Sequence, residues 1–110
     1  MTGKLIVFVT CKGKEEGERI AQAVVEERLA ACVNMLPGVR SCYMWEGELK
    51  FQEEVLLLIK TTADRVDALW DAIRAKHPYD NPEFVVVPVV GGSEDYLDWV
   101  EESVVPRKES

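Results

Sequence analysis

The 110 residues make one domain, large enough for a real core but with a modest buried fraction. Thirteen basic against twenty acidic residues leave a net charge of −7, which argues against nucleic acid as the main partner. Three cysteines (Cys11, Cys32, Cys42) without CxxC spacing exclude a disulfide framework and a zinc finger, and point to the reduced thiols of the cytoplasm.

The chain opens on Leu5 to Val9, an unbroken apolar run that suits a strand buried on both faces. It is too short for a signal peptide and is followed by Lys12 and Lys14; no other run is long enough to span a membrane. Thr10 to Lys14 reads as a loop, and a helix is expected from about Glu15 to Ala31. Glu15, Glu16 and Glu18 suit its positive N-terminal end, and Ile20, Ala21, Val24, Val25 and Leu29 form its apolar stripe.

Cys32 to Thr62 reads as two long strands joined at Glu46-Gly47, a tight-turn signal. On the first arm Val39, Ser41, Tyr43 and Trp45 share a face; on the second, Leu49, Phe51, Val55, Leu57 and Ile59 keep the same two-residue period. Arms of about 13 residues span roughly 44 Å at ~3.4 Å per residue. A compact domain of this length has a radius of gyration near 13 Å and a diameter of about 34 Å. The hairpin must therefore project, and a tip carrying Tyr43, Met44, Trp45 and Phe51 needs a cover. Cys32 and Cys42 are expected as small buried hydrophobes within it.

Thr62 is the expected N-cap of a second helix that buries Val66, Leu69, Trp70 and Ile73 and ends by His77, ahead of Pro78. Tyr79-Asp-Asn-Pro82 is a turn-rich connector, and Phe84 to Val90 a fourth strand. Ser93 caps a short last helix with Tyr96, Leu97, Val100 and Val104 inward and Trp99 at its flank. A frayed tail, Arg107 to Ser110, closes an ordered core of about residues 4–104.

The order β-α-β-β-α-β plus a final helix is the α+β, ferredoxin-like split βαβ pattern. Proline is tolerated on edge strands, so Pro37 in the second strand and Pro88 in the fourth predict an antiparallel sheet in the order 4-1-3-2. Right-handed crossovers place both long helices on one face. The central strands are nevertheless apolar on both faces, and at about 25 cal/mol per Å² a wet face would forfeit several kcal/mol. A closed homo-oligomer, sheet face to sheet face with hairpins reaching across, resolves this and the hairpin length together. A ligand on the open face would explain the first alone.

Four motifs carry a resemblance: Leu29-Ala-Ala-Cys-Val-Asn34 with Pro37-Gly38, Tyr43-Met-Trp-Glu-Gly47, Lys60-Thr-Thr62, and His77-Pro-Tyr-Asp-Asn-Pro-Glu83. Together, over roughly residues 4–104, they resemble the CutA family of divalent-cation-tolerance proteins. The resemblance implies a ferredoxin-like subunit in a tight homotrimer, built like the P-II signal proteins. It also implies a cytoplasmic location, a role in tolerance of copper and other divalent metals, no established catalysis and no required cofactor. The copper ligands proposed in that family are a cysteine in the first strand and a histidine pair before Pro-Tyr. His77 matches the second histidine, Lys76 the first and Val9 the cysteine, with Cys11 two residues on. One of three is retained, so weak binding of Cu²⁺ or another divalent cation is implied.

Residue chemistry supplies the candidates. His77, beside acidic Asp80 and Glu83, is the candidate metal ligand, since imidazole ligates copper and zinc, and Cys11 joins Glu83 in the candidate set as the thiol two residues beyond the cysteine position that the resemblance implies. His77 in a last helical turn is equally a partner for the helix's terminal carbonyls. Tyr43, Trp45, Glu46, Lys60 and Tyr79 are candidates for a subunit interface or a small-molecule cleft between subunits. Two rival functions follow from the fold by analogy. An acyl-phosphatase-like enzyme would use Lys12-Gly13-Lys14 for an anion, but this loop has no arginine to clamp phosphate. A P-II-like sensor of a small ligand needs a basic phosphate patch, at odds with a pI near 4.7.

Overall fold

The computed structural model describes residues 2–106; the tail from Arg107 lies outside the described residues. The elements are β1 (Lys4–Cys11), α1 (Lys14–Glu26), β2 (Cys32–Trp45), β3 (Glu48–Thr62), α2 (Val66–Lys76), β4 (Val85–Pro88) and α3 (Glu94–Ser103), with a 3₁₀ turn (Ala63–Arg65) leading into α2. The four strands form one antiparallel sheet in the order β2-β3-β1-β4, the ferredoxin-like arrangement. Pro37 and Pro88 both lie on edge strands, where a missing N–H costs no ladder bond.

β1 pairs with β3 along its whole length, from Lys4 opposite Thr62 to Cys11 opposite Val55. The two-residue period sends Val7, Val9 and Cys11 of β1 and Leu57 and Ile59 of β3 to one face. There they are fully buried with Ile20 and Val24 of α1 and Leu69 and Ile73 of α2. Each large side chain so buried stabilises the fold by about 1.5–3 kcal/mol. On the opposite face Ile6, Phe8, Leu56 and Leu58 are only half-buried, and Val85 and Val87 are exposed. α3 covers only one end of that face, where Val100 and Val104 pack on Ala31.

α1 stops at Glu26, five residues before the expected end. Arg28 takes the left-handed conformation (φ 60°), and the N–H groups of Leu29 and Ala30 both donate to the Val24 carbonyl. The Ala31 N–H then donates to the Lys60 carbonyl at 2.8 Å, so the chain has already turned into the sheet. Val25 leaves the buried stripe, and Gly17 joins it. A Cβ on Gly17 would sit 3.2 Å from the Cys11 sulfur and 3.4 Å from Leu57, so its absence lets α1 lie close on the sheet.

Four other expectations are corrected. Cys11 is the last residue of β1 and buried, not a loop residue, whereas Cys42 is exposed and Cys32 half-buried. Thr62 precedes the 3₁₀ turn, its hydroxyl bonding Asp64, and α2 proper begins at Val66. The fourth strand is confined to Val85–Pro88, while Phe84 packs against Trp70 with ring centroids 4.8 Å apart. Ser93 caps α3 as expected, accepting from the Tyr96 N–H, but the Tyr96 side chain is exposed rather than inward.

The hairpin turns through Glu46 (φ 51°) and Gly47 (φ 80°), the two positive values of a type I′ turn that matches strand twist. Between Leu36 and Val39 the register slips by one residue at Pro37-Gly38, with Gly38 at φ 76°. The molecule measures 48 × 33 × 21 Å, its long axis exceeding a compact sphere of this length. Met44, Leu49 and Phe51 near the tip are each about 60 % exposed.

Candidate binding cleft beneath the hairpin

The bulge decides which side chains meet. Beyond it, Val39 stands opposite Glu54, Ser41 opposite Gln52, Tyr43 opposite Lys50 and Trp45 opposite Glu48. The connector after α2 passes beside the same face and closes an open cleft of about 850 Å³, with Tyr43 and Trp45 on one wall and Tyr79 and Glu83 on the other. Gln52 and Glu54 form part of its lining.

A directional chain of hydrogen bonds links these walls. The Tyr43 hydroxyl donates to Gln52 Oε1 (2.7 Å), Gln52 Nε2 donates to the Tyr79 hydroxyl (3.0 Å), and the Tyr79 hydroxyl donates to Glu54 Oε2 (3.0 Å). The three bonds run in one direction toward Glu54, a residue only 5 % exposed. Burial, then the bond and charge of Glu54, push the Tyr79 phenol far above its ordinary range. Burial, then the charge of Glu54, also raise the Glu83 carboxyl.

His77 is buried behind the cleft and holds the connector in place. Its Nε2–H donates to the Thr10 carbonyl (2.8 Å), and its Nδ1 accepts the Tyr79 N–H (3.2 Å), a pair that fixes the Nε2–H tautomer. The His77 and Tyr79 rings lie 4.6 Å apart. The imidazole therefore ties the end of α2 to the end of β1, while the His77 backbone N–H closes the helix on the Ile73 carbonyl (2.8 Å).

The candidate metal set does not converge. Both His77 nitrogens are engaged, and Glu83 lies in the cleft lining. The Cys11 sulfur is buried in the core against the carbonyls of Gly13 and Val55, where burial first and the charges of Glu16 and Glu54 next push the thiol up to about 11. Among the described residues no three His, Cys, Asp or Glu side chains are grouped to hold a metal ion. These residues do not fit a resident metal centre.

Of the cleft candidates, Tyr43, Trp45 and Tyr79 come together. Within one chain Glu46 sits at the turn and Lys60 at the far end of β3, bonded to Asn34. Gln52 and Glu54 are the residues that sequence reasoning missed. The signal was present: both fall in register with the Ser41–Trp45 face, and a glutamate flanks the apolar run Val55–Ile59.

The class is a two-layer, ferredoxin-like α+β protein whose overlong hairpin overhangs an acidic, aromatic cleft. The family model of the CutA1 divalent ion tolerance protein matches residues 5–103, and the chain belongs to that family. It is similar to the divalent-cation tolerance protein CutA of Thermus thermophilus, 46 % identical over 98 residues that cover 89 % of this chain and 95 % of the relative. It is 44 % identical over 99 residues to the chloroplastic protein CutA 1 of Oryza sativa, covering 90 % of this chain and 56 % of the relative. The chain thus spans about half the length of the chloroplastic relatives it matches. The crystal structure of CutA from Xylella fastidiosa superposes with a TM-score of 0.92 at 40 % identity, over 94 % of this chain and 99 % of that one. The family model and the Thermus thermophilus relative carry the name of a tolerance protein, not of an enzyme. No helix among the described residues is long and apolar enough to cross a membrane.

Proposed function

We propose that the chain acts in the tolerance of divalent cations, copper among them, as a cytoplasmic homotrimer that catalyses no reaction and needs no cofactor. The observation that carries this reading is the pair of uncovered apolar surfaces, the second sheet face and the hairpin tip, on a chain of this family. A closed assembly of identical copies covers both. Three unpaired thiols fit a reducing compartment. Neither nucleic acid nor a membrane has a place in the scheme, given the net charge of −7.

Direct metal binding is weak in this reading. A divalent ion that uses His77 must displace the Tyr79 N–H from Nδ1, and the nearest carboxylates are not set around it. The expected dissociation constant for Cu²⁺ is on the order of micromolar or weaker, about −8 kcal/mol at most. Calorimetric titration of the intact oligomer with Cu²⁺ tests this, with His77→Ala losing most of the binding while its mass is unchanged. Nanomolar affinity would contradict it. The tolerance role is tested by growth across a copper series of a host lacking its own relative. Expression of the chain should restore growth, and no restoration would count against the role.

A further inference from the structure

We infer that the cleft beneath the hairpin is a binding site for a small organic ammonium ion. Three carboxylates face it, from Glu54, Asp80 and Glu83, and no lysine, arginine or histidine lines it among the described residues. None of the three takes part in an ion pair among those residues. Among the described residues only Oε2 of Glu54 receives a bond, from Tyr79, and no fully buried side-chain oxygen lacks a partner, so Oε1 keeps some exposure on a residue that lines the cleft. The Tyr43–Gln52–Tyr79 chain runs its hydrogen bonds toward this one carboxylate and so holds it in place at the cleft floor.

The same geometry selects the ligand class. An anion such as a nucleotide phosphate meets only carboxylates in the lining: Lys4 and Lys60 stand at the other end of the sheet, and Lys50, opposite Tyr43, is paired with Glu48 and is not among the lining residues. A bare metal ion lacks its ligand set, for the carboxylates are not grouped as one. The volume of about 850 Å³ is that of a small-molecule site. Tyr43, Trp45 and Tyr79 supply the aromatic faces that attract an organic cation, and Glu54 with Glu83 the counter-charge.

Choline and propylammonium, titrated into the intact oligomer beside 3,3-dimethylbutanol, the neutral isostere of choline, provide the test. Tryptophan fluorescence and calorimetry are the readouts. At least one ammonium ion should bind ten-fold or more tightly than the neutral alcohol, and Glu83→Gln should weaken that binding at least five-fold without altering the mass of the oligomer. Glu54→Gln, a buried change, should do the same where it folds; Glu83→Gln, on an exposed residue, decides the matter alone. Equal binding of the alcohol, no binding of either ammonium ion, or unchanged affinity in Glu83→Gln would each overturn the assignment. The ammonium test is read in Glu83→Gln with His77 in place, so its outcome is distinguishable from that of the copper titration in His77→Ala.

Discussion

Tyr79 and Cys11 show how single buried groups set behaviour that can be measured. The Tyr79 hydroxyl is the one described donor to the Glu54 carboxylate. Tyr79→Phe leaves that nearly buried charge short of a partner, at a cost of roughly 1–3 kcal/mol. Urea unfolding should show the loss, and an unchanged midpoint would mean that solvent supplies the missing bond. For Cys11 the thiol is raised from its ordinary 9.0 to about 11. Above pH 9 the unfolded chain releases a proton that the folded chain keeps. The stability from Cys11 is thus complete below pH 9 and is lost as pH rises toward 11. Tyr79 adds a loss of the same sign above its ordinary 10.0. The melting temperature should therefore fall between pH 8.5 and about 10.5. The fall should be smaller in Cys11→Ala, and equal slopes in the two proteins would contradict the buried-thiol account.

At the scale of elements, the end of α1 and its packing on the sheet are the two features with the clearest physical cause. Arg28 occupies a left-handed conformation that costs an L-residue roughly 1–2 kcal/mol. Among the described residues its side chain returns only an exposed 3.4 Å bond to the Val105 carbonyl. Arg28→Gly should therefore stabilise the fold by a few tenths to about 1 kcal/mol, after the unfolded-state entropy of glycine is subtracted. A destabilised variant would show that the guanidinium matters more than the backbone. Gly17→Val should destabilise by about 1–3 kcal/mol, because the Cys11 sulfur and Leu57 already stand at contact distance from a Cβ. Both features were hard to see in the sequence, which carries no glycine at the helix end and reads Gly17 as a weak helical residue. The strands, their order and the hairpin were legible because two-residue periods, two prolines and Glu46-Gly47 are local signals. The cleft was half legible: Tyr43, Trp45 and Tyr79 stand out as exposed aromatics. Gln52 and Glu54 acquire meaning only once β2 and β3 are in register and the connector folds back.

For the whole molecule the unresolved element of a single chain is its surface. One sheet face keeps Ile6, Phe8, Leu56 and Leu58 half-buried, and the tip presents Met44, Trp45, Leu49 and Phe51. The two patches lie on different faces of the sheet, since Leu49 and Phe51 alternate with Leu56 and Leu58 along β3, and the proposed assembly would have to cover both. If the tip seats on a neighbouring copy, Trp45→Ala should cost roughly 3–5 kcal/mol, felt as weaker assembly rather than as a misfolded subunit. A variant that assembles and melts like the parent would place Trp45 in solvent. The measurement that bears most directly on the account is the mass of the native protein by multi-angle light scattering at micromolar concentration. A closed homotrimer predicts a single species near three times 12.4 kDa that persists on dilution. A stable species of 12.4 kDa would leave both apolar surfaces wet and would contradict it.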